Sequence, residues 1–304
     1  MAAAGRRLAS AAGLVDDSGW VAAARAAWAE LPSVYRREIS AFRRNSGPAG
    51  ALVLRGLPVD ERDLPVTPTV GGSVQRTATV PAAFLVMTAC GLGDPAAFLP
   101  EKSGALVQDV VPVPGQEYFQ GNAGSVDLMM HNENAFHEHR PDYVLLFCLR
   151  PDHEEVAGLS TASIREALPR LSDRAREALW QPDFSTQPPP SFGSPDGGPV
   201  RHSVLSGTPE DPDVQVDFAA TSALTPVGGE ALAELSDALV AVARTVRLRA
   251  GDLAIVDNRV CLHGRTAFRP RYDGRDRWVQ RTFALADLRR SRSHRADDGY
   301  VIVR

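Results

Sequence analysis

The stretch MMHNENAFHEHRPDYVLLFCLRPD, Met129 to Asp152, holds three of the chain's seven histidines. His131, His137 and His139 fall within nine residues, with Glu133 and Glu138 among them. In a strand, residues i and i+2 point to the same face, so His131 and Glu133 at the end of VDLMMH can offer one imidazole and one carboxylate to one cation. A third ligand must come from elsewhere, and His263 in DLAIVDNRVCLHGRTAF also ends an apolar strand, just before a glycine. Two histidines and one carboxylate form the facial triad of non-haem Fe(II) oxygenases, which leaves positions open for a chelating cosubstrate and O2. Zinc hydrolases use the same residue types, usually from a helical HExxH, which is absent here. His137 and His139 lie past the turn and are read as structural, bonded to loop backbone or to groups behind the ligands.

Downstream, RDRWVQRTF sets Arg277 and Arg281 fourteen and eighteen residues after His263. Alternation with Val279 puts all three on one strand face. A guanidinium fork matches a carboxylate bidentately. Two such forks facing one cavity could hold a cosubstrate carboxylate and a substrate carboxylate. The competing reading is a solvent-exposed strand laced with salt bridges.

These side chains need a frame. Residues 18–44 carry apolar residues at helical spacing, divided by Pro32 into two helices. Ala51–Leu54 reads as a strand, PAAFLVMTACGLGDP as a buried helix stopped at Gly91, and Leu106–Val111 as a strand. Val126 to Leu149 reads as two strands joined by the histidine-rich stretch. TASIREALPRLSDRAREALW is expected to be helical with a break near Pro169, and residues 181–200, rich in Pro, Gly and Ser, form a long loop able to act as a lid. DVQVDFAA is a short alternating strand, GGEALAELSDALVAVARTV an amphipathic helix, and three or four strands precede a charged tail. The expected fold is mixed, β-rich α+β: a barrel or sandwich of jelly-roll type buttressed by helices. A single domain over 1–304 is expected, with 1–104 mainly helical support and 105–290 the core.

The bulk properties narrow the partners. A formal net charge of −4 gives no reason to expect nucleic acid or an anionic membrane. No apolar run approaches the roughly 20 residues that span a bilayer. The N-terminal LASAAGLV is weakly apolar and followed at once by two aspartates, which argues against a secretory signal and leaves the cytoplasm as the expectation. Cys90, Cys148 and Cys261 are odd in number and form no CxxC pair, so they read as buried thiols.

Taken together, HNENAFHEHRPDYVLLFCLRPD, VDNRVCLHGRTAF and RWVQRTF, with LVQDVVP and VQVDF in support, resemble the clavaminate synthase-like Fe(II)/2-oxoglutarate-dependent dioxygenases, particularly the β-hydroxylases of arginine and asparagine. The resemblance covers most of the region from about 105 to 284. It implies a double-stranded β-helix fold. It implies His131, Glu133 and His263 as iron ligands, Arg277 and the Thr161 hydroxyl as contacts of 2-oxoglutarate, and Arg281 as partner of the substrate α-carboxylate. Gln108, with help from Glu133, would contact the α-amino group, and Asp217 with Gln215 would read the far end of the side chain. The position between the first two ligands, usually Thr or Ser in this group, is Asn132 here. Arginine hydroxylases of the group carry an Asp where this chain has Gln215.

The activity implied is hydroxylation, at C3, of a free L-amino acid, with O2 and 2-oxoglutarate consumed, in natural-product biosynthesis. Arginine or a guanidine-bearing relative is the first expectation and asparagine or glutamine the second. Glu133 occupies the position a halide would need, so halogenation is not expected. Oxidative cyclisation, desaturation and action on a carrier-tethered amino acid are the alternatives within the class. A zinc-dependent hydrolase and a non-catalytic binding barrel stand outside it.

Overall fold

The computed structural model describes residues 2–193 and 200–303. The first third supplies helices α1 (Ala2–Ala9), α2 (Ser18–Trp28), α3 (Ser33–Arg44) and α4 (Val80–Leu92), and strands β1 (Ala51–Leu54) and β2 (Asp94–Phe98). Then come β3 (Gln108–Val110), β4 (Leu128–His131), β5 (Tyr143–Arg150) and β6 (Gly158–Ser163). Helices α5 (Ile164–Ala167) and α6 (Asp173–Leu179) follow, and then the short strands β7 (Phe184–Thr186), β8 (Arg201–His202), β9 (Leu205–Thr208), β10 (Asp211–Val214) and β11 (Thr221–Ala223). Helix α7 (Pro226–Val242) precedes β12 (Arg244–Arg247), β13 (Leu253–Asp257), β14 (Cys261–Arg265), β15 (Trp278–Leu285) and β16 (Val301–Ile302).

Two sheets carry the site. The larger runs β1-β13-β5-β15-β2-β16, with β3 also on β15, and the smaller runs β12-β6-β14-β4. β5 explains why its sequence is apolar without alternation. Tyr143, Leu145, Phe147 and Leu149 face one hydrophobic cluster, shared with α1–α4. Val144, Leu146 and Cys148 face a second, shared with Leu159 of β6, Leu262 of β14 and α6 and α7. A strand buried on both faces needs apolar residues at every position. β13 divides in the same way, Leu253 and Ile255 from Ala254 and Val256. All three cysteines are buried free thiols. No helix among the described residues is long and apolar enough to cross a membrane.

Several elements differ from expectation. The buried helix does not stop at Gly91. α4 runs to Leu92 and is capped at Gly93, whose N–H bonds the Ala89 carbonyl. Gly91 is needed for packing, since a Cβ there would lie 2.4 Å from the Trp28 ring of α2. The segment read as helical from Thr161 begins as strand, because its residues pair with both β12 and β14. The helix starts only after Ser163, whose hydroxyl accepts the Arg165 N–H. Its break near Pro169 is a 3-10 turn, Leu168–Arg170. The 181–200 segment is not all loop. It contains β7, with Phe184 fully buried, and a 3-10 turn at Pro190–Phe192, while 194–199 lie outside the described residues. Proline and glycine on either side hide a three-residue strand from any periodicity argument. The strand expected at Leu106–Val111 is shorter, β2 and β16 have no counterpart in the sequence reading, and the charged tail forms a 3-10 helix, Leu288–His294.

Candidate metal centre and its pocket

One row of residues crosses the smaller sheet. His131 of β4 is the direct cross-strand partner of His263 of β14, which is in turn the partner of Thr161 of β6. An isolated bridge puts Asp217 beside His131 at the other end. Direct partners in an antiparallel pair share a face, so Asp217, His131, His263 and Thr161 point the same way. The two imidazole centroids are 4.4 Å apart. Ligand atoms of His131, Glu133 and His263 all lie within 4.8 Å of one another, and Nε2 of His263 is 3.7 Å from Oε2 of Glu133.

Glu133 is not held in the way the strand argument required. β4 ends at His131, and Glu133 opens the turn that follows. Asn258, fully buried, fixes it instead. Its Oδ1 accepts the Glu133 N–H at 2.8 Å, and its Nδ2 donates to the carbonyls of Glu133 and Pro141. Asn132 points away from the ligands into the same scaffold. Its Nδ2 donates to the carbonyls of Asn258 and Cys261, and its Oδ1 accepts the Val216 N–H. An amide with a donor and an acceptor ties β4, β14 and the segment before Asp217 together, which a Ser or Thr hydroxyl could do only in part. Buried Arg140 adds a bond to the Val214 carbonyl.

The donor set suits a divalent metal. Nδ1 of His131 lies 2.9 Å from the Met129 carbonyl, which fixes the tautomer and leaves Nε2 as ligand. Burial and the neighbouring His131 hold the His263 pKa below its ordinary value, so that imidazole keeps a free lone pair at neutral pH. Burial alone would raise the Glu133 carboxyl. Arg281 and the nearby imidazoles of His263 and His131 outweigh it and hold Glu133 below the usual carboxylate range.

Arg277 and Arg281 both line the cavity in front of the triad, with Val110, Leu146 and Leu159 among its apolar walls. They do not share a regular strand alternation, because the register shifts between Trp278 and Val279 and Arg277 precedes β15. Arg281 is buried and densely partnered. It pairs with Glu133 at 2.9 Å and with Glu101, its Nε donates to Gln108 Oε1 at 3.2 Å, and its Nη1 reaches Asn122 Oδ1 at 3.5 Å. Gln108 therefore orients a guanidinium with its carbonyl oxygen. Arg277 has no carboxylate partner and makes no hydrogen bond among the described residues. Its guanidinium lies over the Phe268 ring at 5.7 Å.

Thr161 stands in the row but does not line the cavity. Gln215 donates to the Ala135 carbonyl at 2.6 Å, so its amide braces the histidine-rich turn. Asp217 accepts the Ala219 N–H through Oδ1. His137 takes a structural part, its Nδ1 accepting the His139 N–H.

Sequence reasoning missed Glu101, Asn122, Asn258 and Arg265. Glu101 is 180 residues from its partner Arg281, and no spacing rule connects them. Burial raises the Glu101 pKa, Arg281 offsets part of this, and the charge of Glu133 pushes the same way as burial. Arg265 sits two residues beyond His263 on the same strand and also lines the cavity. HGR contained the signal, since i+2 from a ligand shares its face.

Residues 48–283 match the model of the taurine catabolism dioxygenase TauD, TfdA family. The chain is 62% identical to L-asparagine oxygenase of Streptomyces coelicolor over 294 residues, covering 96% of this chain and 88% of that protein. It is 34% identical to clavaminate synthase 2 of Streptomyces clavuligerus, over 90% and 85% of the two chains. A crystal structure of asparagine oxygenase in complex with Fe(II), 2S,3S-3-hydroxyasparagine and succinate superposes with a TM-score of 0.96 at 60% identity, covering 100% of this chain and 95% of that one. A non-heme iron oxygenase in complex with Fe and alpha-ketoglutaric acid gives 0.90 at 28% identity, over 99% and 95%. By its own sequence and by the frame that carries His131, Glu133 and His263, this chain belongs to the TauD, TfdA family of dioxygenases.

Proposed function

We propose that this protein is an Fe(II)/2-oxoglutarate-dependent oxygenase that hydroxylates free L-asparagine at C3. The observation that carries the reading is the pairing of a two-histidine, one-carboxylate cluster with a cavity lined by arginines. When bound, Fe(II) with 2-oxoglutarate and O2 supplies the oxidising power, and succinate and CO2 are the other products. His131, Glu133 and His263 would hold the metal, Arg277 the far carboxylate of 2-oxoglutarate, and Thr161 would assist it from the neighbouring strand. We read the two-sheet core as a double-stranded β-helix and the chain as one domain.

Electrostatics supports an amino acid at Arg281. Two carboxylates, Glu101 and Glu133, face one guanidinium, and Oε2 of Glu101 is buried without a hydrogen bond. Arg281 would take the α-carboxylate and Glu101 the α-ammonium, while the amide oxygen of Gln108 fixes the guanidinium between them. Glu101 thus takes the larger part of the role first expected of Gln108.

The order of substrates expected from sequence reverses. The 62% identity with an L-asparagine oxygenase favours asparagine over arginine. The residues beside the metal row support the same order. Gln215 gives an amide N–H to the Ala135 carbonyl, and Asp217, beside His131, is the one carboxylate of the two. One carboxylate beside the metal row suits a short carboxamide better than a long guanidinium, whose five N–H donors need more acceptors.

The test is substrate-stimulated succinate formation across the twenty amino acids, with product mass. L-Asparagine should give a product 16 mass units heavier, and His131→Ala and His263→Ala should abolish turnover. Glu101→Gln should raise the asparagine KM at least about tenfold, since a charge-assisted bond is lost. Preference for arginine, or a response only to carrier-tethered amino acids, would overturn the assignment.

A further inference from the structure

Three guanidiniums line the cavity, those of Arg265, Arg277 and Arg281. Only Arg281 is matched by carboxylates, Glu101 and Glu133. Arg265 is buried, and its one hydrogen bond runs from Nη2 to the Val126 carbonyl at 3.1 Å. Its Nε is buried with no hydrogen-bond partner. The Arg265 and Arg277 guanidiniums both lie over the same Phe268 ring, at 5.5 and 5.7 Å from its centroid. An aromatic face stabilises a cation but does not neutralise it. Two like charges on one ring, neither in an ion pair with a carboxylate among the described residues, are costly unless an anion completes the arrangement.

We infer that Arg265 is a second anion-binding residue, which clamps the far carboxylate of the keto-acid cosubstrate together with Arg277. This rests on the 2-oxoglutarate reading above. The geometry gives the reason. β14 presents Arg265 on the face that carries His263, and the Phe268 ring brings the Arg265 and Arg277 guanidiniums to one end of the cavity. A carboxylate has two oxygens and about four lone-pair directions, enough for two guanidiniums.

A purely structural Arg265 would pin the end of β14 to the 126–127 segment and stack on Phe268. Binding to the anaerobic Fe(II)-loaded protein, measured by calorimetry, separates the two roles. The probes are 2-oxoglutarate and 2-oxobutyrate, which keeps the keto-acid end and lacks the far carboxylate. Arg265→Gln, which retains a donor for the Val126 carbonyl, should weaken 2-oxoglutarate binding at least about tenfold and change 2-oxobutyrate binding less than about twofold. The ligand-free variant should melt no lower than wild type, because a repulsion is removed. Arg265→Lys, with charge but no fork, should show an intermediate loss confined to 2-oxoglutarate. Unchanged 2-oxoglutarate binding, or equal loss with both probes, overturns the inference. If the wild-type protein itself fails to bind 2-oxoglutarate, it is the functional reading that falls.

Discussion

At the scale of single residues, the site separates groups that touch ligands from groups that hold them. Arg277, which we propose belongs to the first kind, is a half-buried guanidinium that lines the cavity and has no ion-pair partner among the described residues. Removing one partner of a desolvated ion pair costs about 3 kcal/mol, a factor of roughly a hundred in affinity. Arg277→Ala should therefore raise the 2-oxoglutarate KM by about two orders of magnitude, with a much smaller effect on the asparagine KM. An unchanged value in a steady-state titration would refute its role. Asn258 is of the second kind. Asn258→Ala would leave the Glu133 N–H and the Glu133 and Pro141 carbonyls unpaired in the interior. At about 1–3 kcal/mol for each buried unsatisfied group, a loss of at least about 3 kcal/mol is expected in denaturant unfolding. Fe(II) affinity should fall with it, because Glu133 loses the contacts that orient it.

At the scale of elements, the junction of β4 and β14 is the sensitive point. The ladder pairs His263 with His131 and then slips, so that Arg265 pairs with Leu128. Gly264 sits inside this irregularity, and a Cβ there would lie 2.5 Å from the Leu128 carbonyl oxygen. That oxygen is backbone and cannot turn aside, so the two strands must part. Gly264→Ala is expected to cost about 1–3 kcal/mol by overpacking. Because the separation falls beside the cross-strand pair of His131 and His263, which we propose as ligands, Fe(II) affinity should drop at least about tenfold by competition with a chelating dye. A variant with wild-type affinity would show that the histidines do not depend on this register.

At the scale of the whole molecule, the larger sheet divides stability from chemistry. Its outer face packs on α1–α4, and its inner face shares a cluster with β6, β14, α6 and α7. The metal row and the arginine cavity belong to the inner side. Phe84 of α4 is fully buried in the outer cluster. Phe84→Ala should cost about 3–5 kcal/mol from lost transfer energy and the cavity left behind. The fraction that remains folded should keep its Fe(II) and 2-oxoglutarate affinities. If those affinities fall as steeply as the stability, the two faces are more tightly coupled than their separate clusters imply.

The buried strand YVLLFCL could be read from sequence by its local pattern, whereas His131 and Glu133, and Arg277 and Arg281, come together without the strand alternation expected of them. Period-two alternation states which residues share a face, and a fully apolar run states that both faces are covered. The candidate metal-ligating residue types followed from their chemistry alone. Only the tertiary structure decided what stands opposite each of them. Glu101 meets Arg281, Asn258 grips Glu133, and Arg265 and Arg277 share Phe268, across 180, 125 and up to nine residues of chain. Gln215, expected to contact the substrate, also gives an amide N–H to the Ala135 carbonyl, a partner no spacing rule names. Short strands such as β2, β7 and β16 have no periodicity long enough to detect, and their partners, not their residues, make them strands. Sequence determines which groups a segment can present. Pairing across the fold decides which of them are already satisfied, and so which remain to bind a ligand.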